Sequence, residues 1–441
     1  MKTYKKYYRL IIAILTIQIM FPVNIKAQEN IDYALAKSYF VEMDSLCSID
    51  NGKLWGINLY GPTMFVIPET RTIIANQPDN EGKLSEHDGV FIGTLPENIN
   101  IANYSIDWSG KKWAVVNWNA LSQNDQYLRN KLLIHENWHS RVEGRIGISP
   151  VMTSNIHLDG LQGSILIKLE LRALSKALMS ENISDKKVAI KDALIIRKSR
   201  QRLFPDNNEN DFERHEGMPE YTGYKLCGLN KNIVSKVIAK QLDLADNKDG
   251  FANSFAYLTG PAYGFLFDEL NIEWLKQIID GKNLTEIAEN VVLVEMPSDT
   301  LSFKALVEKI GSNYDYEALI KNETEKFEKQ KKLTNIYKEK IIGGNQLIIR
   351  NNNLKFTFNP QEKLIPIDNG VVYKTMHLIG EWGILEVKDG IYRSNDWQIF
   401  VISAPKSTNS EIMNKDDYVL TLKKGWKIVE IKEGKYTLIK E

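Results

Sequence analysis

The hydrophobic periodicity of this chain changes twice along its length, and those two changes constrain the fold more than any other feature. Over 54–119, short apolar runs at Thr63–Ile67, Thr72–Ala75, 90–92 and 113–116 are separated by Gly, Pro and Asn, which is the pattern of strands joined by turns. From about 127 to 340 the apolar spacing becomes three and four residues, interrupted at Gly144, Gly147, Pro150, Pro205, Gly217 and Pro261, which is the pattern of helices. A Lys- and Glu-dense stretch over 321–340 reads as a solvated helix running to Gly343 and Gly344. Short alternating runs then return at 382–387, 397–401 and 426–429. The expected fold class is α+β: a mostly antiparallel sheet (28–126) followed by helices (127–340), then a small all-β domain of sandwich or barrel type (341–441). With 441 residues and 43% apolar content, the chain can bury cores of that size. It contains no internal repeat.

Lys2, Lys5, Lys6 and Arg9 precede an apolar run over 10–21, and the small residue Ala27 follows. That order reads as a secretory signal peptide over 1–27, cleaved after Ala27, because the run is shorter than the ~20 residues of a spanning helix. The expected product is exported to the periplasm or outside the cell, with no stable membrane insertion after cleavage. The 56 basic and 56 acidic residues cancel, so no charge excess points to nucleic acid or an anionic surface. Cys47 and Cys227 are the only two cysteines, and they read either as one disulfide or as two buried thiols. The sequence carries no indication of oligomeric state.

The chemistry concentrates in His135-Glu136-Asn137-Trp138-His139. Positions 128, 132, 135, 139 and 142 form one helical stripe. A four-residue spacing sets the two imidazoles one turn apart on one face, the geometry for sharing a single Zn²⁺, and Gly144 supplies a stop. Glu136, beside the first histidine, is the candidate general base for a metal-bound water. The competing reading is a pair of satisfied core histidines. A catalytic zinc site needs a third protein ligand, and Glu170, His215, Glu216 and Glu220 are available. The segment around His215 reads as the start of a new helix after a polar loop at 205–210, with Glu216 in its first turn and Gly217 allowing close helix approach.

His-Glu-x-x-His followed by Glu216-Gly217 and Tyr221 resembles the gluzincins, in particular the relatives of aminopeptidase N, and is also similar to exported bacterial proteins that carry gluzincin-like motifs. The resemblance implies a zincin-like catalytic domain, with zinc held by His135, His139 and Glu216, and Glu136 as the catalytic base. It rests on these two motifs and their order. The interval from His139 to Glu216 is 77 positions, longer than in aminopeptidase N, and reads as containing a helical hairpin over 161–202. The Gly-x-Met-Glu-Asn segment that would hold a free substrate amino terminus is absent from the sequence.

The implied activity is zinc-dependent hydrolysis of a peptide or protein. The alternative is a catalytically silent zincin-fold scaffold that recognises partners through the C-terminal β domain. Glu170 reads as an acceptor that orients a ligand or as an ion-pair partner of Arg172, ahead of a ligand role. Tyr221, Tyr257 and Tyr263 are candidates for the oxyanion donor such a peptidase needs, with Tyr263 put forward. The run over 113–116 reads as a core strand or as an edge that adds a substrate strand. His87, His157 and His377 receive no role, and the C-terminal tryptophans read as core ahead of a sugar-binding face.

Overall fold

The structure is a computed structural model that describes residues 32–149, 155–294, 297, 300–358, 364–405 and 410–441. It is an α+β protein with helices and mixed sheets, including an all-β C-terminal region. The signal segment read over 1–27 lies outside the described residues. No helix among the described residues is long and apolar enough to cross a membrane. The chain divides into two compact units, one ending at Arg141 and one beginning at Val142.

The first unit opens with helix α1 (Tyr33–Asp50), whose N-terminus is capped by the Asp32 carboxylate accepting from the Leu35 amide at 2.8 Å. Six strands follow: β1 (Thr63–Ile67), β2 (Thr72–Ala75), β3 (Ser85–His87), β4 (Val90–Thr94), β5 (Tyr104–Trp108) and β6 (Lys111–Asn117). They form one sheet in the order β3-β4-β2-β1-β6-β5. Every pair is antiparallel except β1–β6, which runs parallel with Thr63 opposite Ala114. Met64, Val66, Ile73, Ala75, Trp113 and Val115 build a core on one face. On the other, Phe65 stacks on Phe40 of α1 at 4.4 Å between ring centroids. Burial on both faces explains why β1 is apolar at every position but its first, with no alternation. The 113–116 run lies inside β6, hydrogen-bonded to β1 on one side and β5 on the other. It therefore has no open edge for an added strand, and of the two readings of this run the core strand is the one that holds. Helix α2 (Gln126–Arg141) packs on β5 and β6.

In the second unit, α3 (Leu161–Met179) and α4 (Ile183–Leu203) form a tight antiparallel hairpin. The chain continues through α5 (Glu209–Phe212), a π-helical turn (Glu213–Gly217), α6 (Met218–Leu226), α7 (Lys231–Leu244) and α8 (Ala256–Glu269). Four more helices, α9 (Leu275–Ile279), α10 (Leu284–Val291), α11 (Thr300–Gly311) and α12 (Tyr316–Tyr337), lead to the β region. Helix therefore begins at Glu209, inside the stretch read as a polar loop, and Glu216 sits within a π turn instead of opening a helix. Of the charges in that stretch, Glu209 is buried and paired with Arg200, as described below.

Between 346 and 440 a seven-stranded and a five-stranded sheet share one core that includes Leu347, Ile349, Leu378, Trp382, Leu385 and Phe400, a sandwich. Trp397 and Trp426 pack against that core, so these tryptophans serve packing. Tyr337 and Ile341, at the end of the Lys- and Glu-rich helix, join Ile365, Val372 and Val401 in a smaller cluster that ties the helices to this sandwich.

Candidate metal centre

Helix α2 is held from both ends of its own unit. Glu42 of α1 takes Arg129 at 2.7 Å and the Asn130 side-chain amide at 2.9 Å. Near the other end, the Thr63 hydroxyl donates to the Asn137 side chain at 3.0 Å, and Trp138 meets Trp55 edge-on at 5.5 Å. The helix buries more than the stripe read from the sequence, of which His135, His139 and Val142 are buried. Leu128 is exposed, whereas 133–139 are all buried, so the last two turns are enclosed on every side.

His135 and His139 are 5% and 7% exposed, and Glu136 is 5% exposed. The two imidazoles turn their Nε2 atoms to one another at 3.2 Å. Two nitrogens bound tetrahedrally at about 2.0–2.1 Å from a common ion would stand about 3.3 Å apart, so this pair is already spaced for one metal.

In the second unit, both carboxylate oxygens of Glu216 have a polar neighbour. The Tyr257 hydroxyl donates to Oε2 at 2.6 Å, and His215 Nε2 stands 3.3 Å from Oε1. The other nitrogen of His215, Nδ1, contacts the Glu143 carboxylate. Each unit thus holds part of a donor set: His135 and His139 in the first, and Glu143, His215 and Glu216 in the second. Two imidazoles and a carboxylate make a donor set suited to zinc. Neither Glu170 nor Glu220 belongs to such a group among the described residues.

The π turn that carries Glu216 is fixed by two devices. Gly217 lies directly against Gly260 of α8, and a Cβ built on Gly217 would stand 3.0 Å from the Gly260 Cα and 3.1 Å from the Ala256 carbonyl oxygen. A Cβ on Gly260 would lie 2.4 Å from the Gly217 Cα, so that position has no room for a side chain, and at Gly217 one would press on the α8 backbone. The second device is a charged core. Arg197 and Arg200 of α4 are both fully buried. Arg197 forks onto Glu213, with Nη1 to Oε2 at 2.8 Å, and Arg200 forks onto Glu209 at 2.9 and 2.7 Å. Glu170 of α3 bridges the two, accepting from Arg197 at 2.7 Å and from Arg200 at 2.6 Å. His157 adds a 2.7 Å contact to Glu209, and the Thr259 hydroxyl donates to Glu213.

Three glutamates thus face two arginines, and they respond differently. Burial pushes Glu209 up, but Arg200 and the His157 contact outweigh it and hold the carboxyl well below the usual carboxylate range. Burial pushes Glu213 upward against the pull of Arg197, with Glu170 adding to the rise.

This network corrects two expectations. Glu170 pairs with Arg197 and Arg200; Arg172 points elsewhere and binds Asp246 at 2.7 Å. Two positions along a helix rotate a side chain by about 200°, which separates 170 from 172. Tyr263 is fully buried, its hydroxyl donates to Glu170 at 3.0 Å, and burial together with Glu170 holds its pKa well above normal. It belongs to the charged core, as Tyr221 belongs to a contact with Asp268 at 2.8 Å. Of the three tyrosines considered, Tyr257 is the one beside Glu216. Sequence reading named His215 and Tyr257 as candidates but could not pair His215 with Glu143 or Tyr257 with Glu216, because these partners lie 72 and 41 positions apart.

The chain matches no family model, no curated protein and no solved structure.

Proposed function

We propose that this chain is an exported zinc-dependent hydrolase of zincin type that cleaves amide bonds in a peptide or protein, with the gluzincin arrangement of ligands. The observation that carries the reading is the buried His135–His139 pair of one helix, whose imidazole nitrogens are already at the spacing of a shared ion. The residues fit the metal: the two imidazoles, with the Glu216 carboxylate that the gluzincin resemblance names as the third donor, would leave the fourth tetrahedral position for water. Bound there, zinc would supply Lewis acidity and lower the pKa of its water toward ~7.

This chain's own residues do the rest. His135 and His139 supply neutral nitrogen donors, and Glu216 supplies the anionic one. Glu136, next to the first ligand and equally buried, is placed in sequence to accept a proton from the water and return it to the leaving amine.

The deciding measurement is the metal content of the purified protein, compared with His139→Ala and Glu216→Ala. One zinc per chain in the wild type, lost in both variants, is the expected result; a wild type that takes up no zinc would sink the reading. A peptide-library screen then identifies cleavable sequences. On any substrate found, Glu136→Gln should abolish turnover while leaving the zinc in place.

A further inference from the structure

Glu216 differs from an ordinary side chain near a metal site in having each carboxylate oxygen met by a separate partner: Tyr257 at Oε2 and His215 at Oε1. His215 is itself anchored, because its second ring nitrogen is engaged by Glu143, a buried carboxylate from the short helical turn Glu143–Ile146. The side chain of His215 is 13% exposed and that of Glu216 is 16% exposed, so the pair is largely screened from water. We propose that Glu143, His215 and Tyr257 form a clamp that fixes the Glu216 carboxylate in its ligating orientation, making them positioning residues for the metal site. The inference rests on the function proposed above and adds the part of the chain that sets metal affinity.

The physical case is entropic and geometric. A free glutamate samples many rotamers, and immobilising such a side chain costs conformational entropy. When that cost is met by contacts already present in the folded chain, it no longer subtracts from metal binding. A carboxylate oxygen offers two lone pairs, so an oxygen that accepts one hydrogen bond, as Oε2 does from Tyr257, can still face an ion. Partners that orient a ligand in this way typically account for 10–100-fold in metal affinity. Three elements converge on the clamp: the π turn supplies His215 and Glu216, α8 supplies Tyr257 and the turn after α2 supplies Glu143. Within this unit, Gly217 and Gly260 bring α8 close enough for Tyr257 to reach.

The test is zinc affinity by competition with a chromophoric chelator, with the Co²⁺ absorption spectrum as a second readout, on wild type, Tyr257→Phe, His215→Asn and Glu216→Ala. The clamp requires Tyr257→Phe and His215→Asn each to lower zinc affinity about 10–100-fold. Each should still bind one ion per chain with a tetrahedral-type Co²⁺ spectrum, and the metal-free melting temperature should be unchanged. Tyr257→Phe is the conservative variant, and His215→Asn gives an independent arm should either fold poorly. Wild-type affinity in both variants would overturn the clamp while leaving the zinc reading intact, provided that Glu216→Ala still loses the metal. If His215→Asn loses the ion as completely as Glu216→Ala, His215 is a ligand and the positioning role falls. A wild type without metal would remove both the function and the clamp.

Discussion

Gly217 and Gly260 touch through their backbones: a Cβ built on Gly260 would lie 2.4 Å from the Gly217 Cα. Nothing at that place is a flexible side-chain end that could swing aside. Gly260→Ala is therefore expected to force the π turn and α8 apart and to lower stability by about 1–3 kcal/mol, the usual cost of overpacking. Gly144→Ala is the control, since no atom lies within 4 Å of its added Cβ and the position is exposed. Its change should stay within about 0.5 kcal/mol. Urea unfolding of both variants measures the difference, and equal midpoints would refute the steric argument.

Arg197→Met should be among the most damaging substitutions in the helical region. It leaves Glu170 and Glu213 in a fully buried site with one guanidinium fewer, and breaking a buried pair from one side costs roughly 3–5 kcal/mol. Arg197→Lys should restore little, because a single ammonium cannot reproduce the fork onto Glu213 together with the contact to Glu170. Thermal melts of the two variants side by side decide it; a near-wild-type lysine variant would show that charge alone suffices.

The same network sets an acid limit. Glu209 has a folded-state pKa below its unfolded value of about 4.3, so its stabilising contribution is complete above that value. It is lost as pH falls from there toward the folded pKa. Glu213, shifted upward, runs the other way: its contribution declines as pH rises from about 4.3 through its folded pKa. Stability should fall with acidification below about pH 4, and in Glu209→Gln that dependence should flatten even though the variant is less stable throughout. Urea midpoints between pH 5 and pH 2 test it, and parallel curves for the two proteins would count against Glu209.

Cys47 and Cys227 are both free and buried. Burial, with Asp44 and Asp50 nearby, pushes the Cys47 thiol up to about 12. Only the thiolate is nucleophilic, so alkylating reagents at pH 8 should leave the native protein unmodified and label two thiols per chain in urea. Native-state labelling at the unfolded rate would contradict the buried placement.

What the sequence made legible was local. β1 and β2 begin and end at the residues their apolar runs marked, and the helical period around His135 located α2. The 161–202 hairpin followed from the same kind of period. The misreading of 205–210 had a definite physical cause. Glu209 looks like a solvated residue until Arg200 is found opposite it, and that pairing is made by tertiary packing. Tyr263 was misplaced for the same reason, because a tyrosine aimed at a buried glutamate and one aimed at a cleft look alike in one dimension.

The π turn also fixes a phase relation. Each helical residue rotates the chain by about 100°, and a π turn holds one residue more than an α-helix would use. The helix face presented up to Glu213, which locks onto Arg197, and the face presented after Gly217, where Tyr221 meets Trp274 at 4.8 Å, are thereby offset by about that angle. Deleting a single residue from 213–217 would cancel the offset. Composition and hydrophobic content would barely change, yet the arginine-binding face and the aromatic face could no longer both be seated. Within that turn the number of residues, as much as their identity, is under constraint.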